Sequence, residues 1–208
     1  MGPGVDTARF DPARRSPRIR AQLAPGGELI AGYVGRLATE KRVELLAKIT
    51  ALPGVRLVIV GAGPAEAILR RHLPDSLFLG ERRGDELAAV YASLDVFVHA
   101  GPHDTFGNTL QEAAASGLPV VAPAAGGPLD LVVDGVTGFL VQPGSADAIA
   151  AAVARLAADP LLRAAQGGAA RRVMLGRSWP AICDQLLGHY QAVLAADAPV
   201  ASQLQAAA

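Results

Sequence analysis

Short apolar runs alternate with longer amphipathic segments from about residue 28 to residue 175. The apolar runs predict six β-strands, at Leu29–Val34, Arg56–Val60, Leu77–Leu79, Val96–Ala100, Val120–Ala122 and Phe139–Val141. The intervening segments repeat their apolar positions at helical spacing and predict helices at Glu40–Thr50, Ala65–His72, Asp85–Ser93, Phe106–Ser116, Ala146–Ala158 and Leu161–Leu175. Strands that alternate with helices form a parallel sheet covered on both faces. The pattern therefore predicts an α/β fold, a single doubly wound domain on a six-stranded parallel sheet.

The two ends of the chain follow a different pattern. Residues 1–25 contain glycines, prolines and a basic cluster, and they have no sustained period; the cluster is Arg14, Arg15, Arg18 and Arg20. We interpret them as a linker with one short helix and a solvated basic face, the alternative being a membrane or nucleic-acid contact. Residues 26–177 form the predicted domain. Residues 178–208 begin with apolar positions at helical spacing, from Trp179 to Ala195, and predict a terminal helix and tail.

The composition limits the possible function. The 208-residue chain is 51% hydrophobic and 18% charged, as in globular proteins, and its 19 basic and 19 acidic residues give a net charge of zero. A neutral chain has no general attraction to nucleic acid or acidic lipid. Its one cysteine, Cys183, excludes an internal disulfide and fits a reducing compartment, although the scarcity of cysteines is also compatible with export. No apolar run reaches the roughly 18 residues needed to span a bilayer. We therefore expect a soluble, cytoplasmic protein that does not bind nucleic acid.

The stretch from Asp95 to Gly127 combines a buried strand, a Gly/Pro loop, a helix and a second buried strand. Its loop lies at the carboxyl end of a strand, where open α/β sheets bind ligands, and the following helix presents unpaired backbone N–H groups to an anion. Asp104 and Glu112 are eight positions apart and lie roughly on one helical face. This stretch predicts a phosphate site with two flanking acids.

Two further loops carry candidate chemistry. Arg36 and Lys41 follow the first strand and can converge on a diphosphate, although Lys41 could also simply be solvated at a helix start. Gly61 and Gly63 follow the second strand. They can let a base or a phosphate approach the backbone, or they can serve only a tight strand-to-helix turn.

Several motifs in this order resemble the carboxyl-terminal domain of GT-B glycosyltransferases, specifically retaining family 4. They stand here as Gly35-Arg36-Leu37 with Lys41, Val60-Gly61-Ala62-Gly63-Pro64, Asp104-Thr105-Phe106-Gly107 with Glu112-Ala113, Gly117-Leu118-Pro119-Val120-Val121, Gly126-Gly127 and Asp134-Gly135-Val136-Thr137-Gly138-Phe139-Leu140-Val141. The resemblance covers about Gly4 to Tyr190. It implies a Rossmann-like domain, the second half of a GT-B architecture, that binds a nucleoside diphosphate sugar as the donor.

The resemblance also implies individual roles. Arg36 and Lys41 would hold the donor diphosphate together with the backbone N–H groups from Gly107 to Thr109, Glu112 would accept hydrogen bonds from the ribose, and Asp104 would contact the transferred sugar. Asp104, Arg36 and Lys41 are the implied catalytic residues. The implied donor-binding set is Gly35, Arg36, Lys41, Gly61, Gly63, His103, Asp104, Phe106, Gly107, Asn108, Thr109 and Glu112. No cofactor is implied beyond the donor itself. The chain contains no Asp-x-Asp motif. A divalent metal that bridges the diphosphate through such a motif would therefore have no obvious protein ligands.

The chain departs from the family pattern in two ways. The family's first acid is usually Glu, whereas Asp104 is shorter by a carbon–carbon bond and could instead cap the helix. In addition, GT-B enzymes place the acceptor-binding domain first, and residues 4–12 here resemble the segment that connects the two halves. The expected partners are therefore the donor and a missing acceptor-binding domain, with peripheral membrane association of the full-length enzyme.

The function that follows is hexosyl transfer, with retention, to a lipid, glycan or small-molecule acceptor. This chain alone would bind the donor and transfer the sugar poorly. Two alternatives stay open: a stand-alone noncatalytic nucleotide-binding or interaction subunit, and a nucleotide-sugar epimerase-like protein of the same architecture.

Overall fold

Six parallel strands form the sheet of the computed structural model, which describes residues 3–103 and 107–205. The strands are β1 (Leu29–Val34), β2 (Val55–Val60), β3 (Leu77–Gly80), β4 (Val96–Val98), β5 (Val120–Pro123) and β6 (Gly138–Val141). They are hydrogen-bonded in the order β3-β2-β1-β4-β5-β6. Successive strands are added on one side of β1 up to β3 and on the other side from β4 onwards, so the switch point of the sheet lies between β1 and β4. In doubly wound sheets, ligands bind in the crevice beyond the carboxyl ends of the strands at this point.

Helices cover both faces of the sheet. They are α1 (Pro17–Leu23), α2 (Glu66–His72), α3 (Gly84–Ser93), α4 (Asn108–Ala115), α5 (Pro128–Leu131), α6 (Ala146–Ala158), α7 (Pro160–Leu175) and α8 (Trp179–Gln205). Alternate residues of β1 separate the two core layers, since Ile30 and Val34 pack on one face and Ala31 and Tyr33 on the other. The first layer includes residues of α1, α3, α4 and α7, and the second includes residues of α2 and α6. The predicted doubly wound fold on a six-stranded parallel sheet is thus confirmed, and each strand boundary lies within two residues of its prediction.

The predicted helix Glu40–Thr50 was wrong in type. The structure has two 3-10 helices there, Thr39–Lys41 and Val43–Ala51, separated by Arg42 in the left-handed conformation with φ 52°. Val43, Leu46 and Ile49 are the buried residues of the longer one. A repeat of three matches the three residues per turn of a 3-10 helix, so that all three side chains lie on one face. On an α-helix the same three side chains would span an arc of about 120°.

The amino-terminal segment, which the sequence predicts to be a linker with a solvated basic face, packs in part on the domain, while Arg14, Arg15 and Arg18 are exposed. Val5, Phe10 and Leu23 are buried in the core. Arg15 and Arg20 both donate to Asp95 Oδ1, over 2.8 and 3.0 Å. These two arginines therefore bind the segment to Asp95, which lies between α3 and β4. The connection of this segment to a preceding domain stays a prediction.

Candidate functional site

A cavity of about 430 Å³ opens where β1 and β4 diverge at the carboxyl edge of the sheet. Its walls come from the ends of these two strands, the loops after them and the first turn of α4. The lining residues are Tyr33, Val34, Gly35, Arg36, Lys41, His99, His103, Gly107, Asn108 and Thr109. Seven of the ten belong to the donor-binding set expected from the sequence: Gly35, Arg36, Lys41, His103, Gly107, Asn108 and Thr109.

Both predicted cations line this cavity. Arg36 is exposed, and its backbone is held by Tyr33, whose buried hydroxyl donates to the Arg36 carbonyl over 3.0 Å. Lys41 ends the 3-10 helix Thr39–Lys41, and Gly101 from the loop after β4 packs against its backbone. A Cβ at Gly101 would lie 3.2 Å from Lys41 Cα, so glycine allows the two loops to approach closely. Tertiary packing therefore brings both cations to one crevice.

The third positive element is the start of α4. Gly107 is its N-cap residue with φ 57°, a left-handed conformation that favours glycine. The Gly107 carbonyl accepts from the N–H groups of Leu110 and Gln111, both over 3.0 Å. The first N–H groups of a helix have no partner within it, and together with the helix dipole they bind anions. Asn108 and Thr109 place this helix end in the cavity wall beside the two cations.

A second cavity, of about 310 Å³, shares Gly35 and Arg36 with the first and continues towards β2 and β3. Gly61 lines it, whereas Gly63 lines none of the three cavities described here. A Cβ on Gly61 would lie 1.9 Å from the Gly35 carbonyl oxygen, and one on Gly63 would lie 2.3 Å from the Leu37 carbonyl oxygen. Both glycines therefore allow two loops to pack backbone against backbone, which favours the tight-turn interpretation of Gly63.

Glu112 lies in a separate cavity of about 220 Å³ between α4, residues 4–10 and the start of α8. Asn108 lines both this cavity and the first one, so the two are neighbours. Burial raises the pKa of the Glu112 carboxyl, while a hydrogen bond from Tyr91 acts in the opposite direction. The structure thus places Glu112 in a different cavity from the two cations, one helical turn beyond Asn108.

Asp104 and Phe106, two of the residues expected from the sequence, lie outside the described residues. Several residues that sequence reasoning did not select do line the cavities: Tyr33, His99, Glu81, Arg82, Asp6 and Arg9. A signal was available for the first four, because each is a polar residue at or just beyond the carboxyl end of a strand. No local signal marks Asp6 and Arg9, since their place depends on how residues 4–10 pack against α4.

Two general features bear on the class of protein. Within residues 3–103 and 107–205, no group of three or more His, Cys, Asp or Glu side chains is arranged to hold a metal ion. None of the helices in the described part of the chain has the length and apolarity to cross a membrane.

A doubly wound sheet with two cations and a helix start at its switch point defines a nucleotide-binding, Rossmann-like domain. The sequence profile of the family described as glycosyl transferases group 1 matches residues 15–173. The chain therefore belongs to that family.

Individual relatives agree with this assignment. A GDP-mannose-dependent alpha-mannosyltransferase of Mycolicibacterium smegmatis is 52% identical over 194 residues, which are 93% of this chain and 51% of that protein. The crystal structure of Anabaena HepE in complex with UDP matches with a TM-score of 0.82 at 25% identity, covering 91% of this chain and 56% of that one. The carboxyl-terminal domain of a group 1 glycosyl transferase from Francisella tularensis matches with a TM-score of 0.72 at 25% identity, covering 84% of this chain and 98% of that one.

These matches confirm the resemblance to the carboxyl-terminal domain of GT-B glycosyltransferases. The chain spans about half the length of the curated relatives it matches, for example 51% and 50% of two mannosyltransferases. The narrower assignment to family 4 stays a prediction.

Proposed function

We propose that this chain is the donor-binding half of a hexosyltransferase and that it binds a nucleoside diphosphate sugar. The observation that carries the proposal is the convergence of Arg36, Lys41 and the start of α4 on one cavity at the switch point of the sheet. A diphosphate needs several positive groups at once, and arginine, lysine and a helix start supply them in three different forms. A cavity of about 430 Å³ lies within the size range of small-ligand sites.

The proposed donor is GDP-mannose. The support is the relative from Mycolicibacterium smegmatis, which is named a GDP-mannose-dependent alpha-mannosyltransferase. In this proposal the diphosphate occupies the first cavity, and the ribose extends towards Glu112 in the neighbouring one. Asp104, His103 and Phe106 are assigned to the transferred sugar, and Gly61 is assigned to the part of the donor site that the second cavity forms. The contact of Asp104 with the sugar rests on the family resemblance.

The chemical role that we propose for this donor-binding domain is stabilisation of the leaving group. The bond between the anomeric carbon and the diphosphate oxygen breaks, and the electron pair stays with the diphosphate. An acceptor hydroxyl forms the new glycosidic bond and loses its proton to the departing diphosphate. Preorganised positive groups aimed at the departing oxygens lower the barrier because the negative charge grows there in the transition state. Arg36, Lys41 and the first N–H groups of α4 are the groups we assign to this work. We expect binding without a divalent ion, and retention of configuration on the basis of the resemblance.

We assign acceptor binding to a second domain. The support is that the curated relatives are about twice the length of the matched segment. A further support is the exposed apolar side of α8, whose side chains Trp179, Leu187, Tyr190 and Val193 are more than half exposed. The proposed location is the cytoplasm, with peripheral membrane association of the full-length enzyme. An exposed free thiol at Cys183 is compatible with a reducing compartment.

Isothermal titration calorimetry tests the binding proposal. The chain is titrated with GDP, UDP, ADP and GDP-mannose, each with and without a chelator of divalent ions. The expected result is saturable binding of GDP and GDP-mannose that the chelator does not change. Binding that needs a divalent ion would refute the metal-free site, and no binding of any nucleotide would refute the proposed function. Preference for UDP over GDP would refute the donor assignment only.

Further measurements on the same chain test the two alternatives, a noncatalytic nucleotide-binding subunit and an epimerase-like protein. A chain that binds GDP and GDP-mannose with equal affinity, and shows no transfer when joined to an acceptor-binding half, is the noncatalytic subunit. Conversion of the bound sugar to its epimer, followed by NMR, would identify the epimerase-like protein.

A further inference from the structure

His99 is a polar residue at the carboxyl end of β4, and it was not among the residues predicted from the sequence. It follows Val96–Val98 directly, and only 1% of its surface is exposed. It nevertheless lines the first cavity, together with Arg36, Lys41 and the first residues of α4. A residue that is buried and still borders a cavity lies at the inner wall of that cavity. His99 therefore forms part of the floor of the proposed diphosphate site.

The direction of the His99 side chain follows from the alternation of residues along β4. Val96, Val98 and Ala100 pack in one core layer, and Phe97 packs in the other. Successive side chains of a strand point to opposite faces of the sheet, so His99 lies on the same face as Phe97. The buried residues of α4 belong to the layer on that face. His99 therefore lies between the end of the sheet and the start of α4.

The backbone of His99 is held by the sheet. Its N–H donates to the Val121 carbonyl oxygen over 2.8 Å, just as the Phe97 N–H donates to the Pro119 carbonyl oxygen over 3.0 Å. Two residues further on, Gly101 packs against the backbone of Lys41. A side chain on such a rigid element is positioned by the protein before any ligand binds. His103, in the loop that follows, is exposed.

An imidazole at this position has the chemistry to bind an anion. The three residues of β4 before His99 are all apolar, and a polar side chain in the same buried surroundings costs free energy unless it is hydrogen-bonded. His99 has an interaction partner within the protein, and its two ring nitrogens allow it to keep that partner and also contact a ligand. A ring N–H donates hydrogen bonds, and those to phosphate oxygens are among the stronger ones.

We propose that His99 is a further ligand-binding residue, whose imidazole donates a hydrogen bond to the diphosphate of the sugar donor from the floor of the first cavity. This inference rests on the proposed function. The diphosphate is the part of the ligand that we assign to His99, because Arg36, Lys41 and the start of α4 line the same cavity. Unlike the exposed Arg36, His99 is shielded from solvent, so water competes less for its hydrogen bond.

Calorimetry on substituted chains tests the contact. His99→Leu removes both ring nitrogens and keeps a side chain of similar size. His72→Leu is the matched control, since His72 is exposed at the end of α2 and is not among the residues that line the three cavities. GDP binding should weaken about ten- to hundredfold in His99→Leu, the range for one hydrogen bond to a charged group, and stay unchanged in His72→Leu. Normal GDP affinity of a folded His99→Leu chain would overturn the proposal.

A second ligand distinguishes the diphosphate from the sugar. If His99 contacts the diphosphate, His99→Leu weakens the binding of GDP and of GDP-mannose by the same factor. A loss confined to GDP-mannose would overturn the diphosphate contact and indicate a contact with the hexose.

Two conservative variants separate hydrogen bonding from packing. His99→Asn and His99→Gln each keep an N–H donor, close to the position of one or the other ring nitrogen. At least one of them should recover part of the affinity that His99→Leu loses. Equal losses in all three variants would assign the effect to packing and refute the hydrogen bond.

Nitrogen-15 NMR of the histidine rings supplies a measurement that needs no substitution. The chain has four histidines, so their ring signals can be followed individually. Saturating GDP should shift the ring nitrogens of His99, whereas those of His72 and His189, both exposed, should not move. This measurement decides the question if the His99 variants do not fold. Unmoved His99 signals in the GDP-saturated chain would refute the inference.

Failure of the proposed function gives a different result from failure of this inference. Inorganic pyrophosphate is titrated into the unmodified chain in parallel with GDP. If pyrophosphate binds and shifts the His99 signals but no nucleotide binds, the proposed function fails and the contact between His99 and a diphosphate stands. If nucleotide binds without any change at His99, the inference fails and the proposed function stands. If neither ligand binds, both are refuted.

Discussion

Arg171 offers a sharp test of how the amino-terminal segment is held in place. Its Nη1 donates to the carbonyl oxygens of Thr7 at 3.0 Å, Phe10 at 2.7 Å and Ala115 at 2.6 Å. Its Nη2 donates to Thr7 again at 3.0 Å and to Asp11 Oδ2 at 2.5 Å. One guanidinium from α7 therefore joins residues 7–11 to the end of α4. The segment that it holds includes Phe10, which lines the Glu112 cavity.

The expected cost of Arg171→Ala follows from these contacts. Hydrogen bonds to a charged group contribute about 1.5–3 kcal/mol each, but carbonyls near the surface can bond to water once the guanidinium is gone. The Arg171 side chain is 17% exposed and that of Asp11 is 33% exposed, so solvent screening reduces the ion-pair share. We expect a loss of about 3 kcal/mol in the free energy of unfolding, at the lower end for breaking a buried pair. For a domain of this size that corresponds to a fall in Tm of roughly 6–12 °C.

Urea unfolding and thermal melting measure this loss, and Arg172→Ala is the matched control. Arg172 is the next residue of α7 and is exposed, so its replacement should change the stability by less than about 0.5 kcal/mol. Alanine and arginine are both good helix formers, so helix propensity does not account for a difference. Amide hydrogen exchange of residues 5–11 should accelerate in Arg171→Ala only. Equal stabilities of the two variants would show that the guanidinium contacts do not hold the segment.

Three further predictions concern the site. Arg36→Ala and Lys41→Ala should each weaken GDP binding by about 1.5–3 kcal/mol, measured by calorimetry, with an unchanged melting temperature; normal binding by either variant would remove that residue from the diphosphate site. Gly107→Ala should weaken GDP binding and destabilise the start of α4 by about 1–2 kcal/mol or more, because alanine must adopt φ 57° there. Gly54→Ala, at φ 70° with no atom within 4 Å of the added Cβ, should show the backbone cost without the loss of binding. Glu112→Gln should change how stability depends on pH. Because burial raises the folded pKa of Glu112, its contribution is fully present below the unfolded pKa and is lost as pH rises through the folded pKa; the variant should lack that loss, as urea unfolding across the pH range would show.

Local patterns were enough to predict the alternation of strands and helices. Each strand is a short apolar run and most of the loops contain glycine or proline, so β1 to β6 could be located to within two residues. The positions of Arg36 and Lys41 followed from the same local pattern, because a residue that comes after a parallel strand must lie at the carboxyl edge of the sheet. Local patterns did not predict that the segment from Val43 to Ala51 forms a 3-10 helix, because its apolar repeat of three also fits part of an α-helical face.

The sequence by itself determined the class of fold and the edge of the sheet at which the chemistry lies, because strand periodicity and loop residues are local properties. Only the tertiary structure determined which residues lie close to Glu112. Residues 4–10 and Tyr91 are distant from Glu112 in the chain, and they reach it through the packing of Phe10 on Tyr91 and the contacts of Arg171. These contacts depend on the shapes of buried side chains and on the partners of a single guanidinium, neither of which has a period along the sequence.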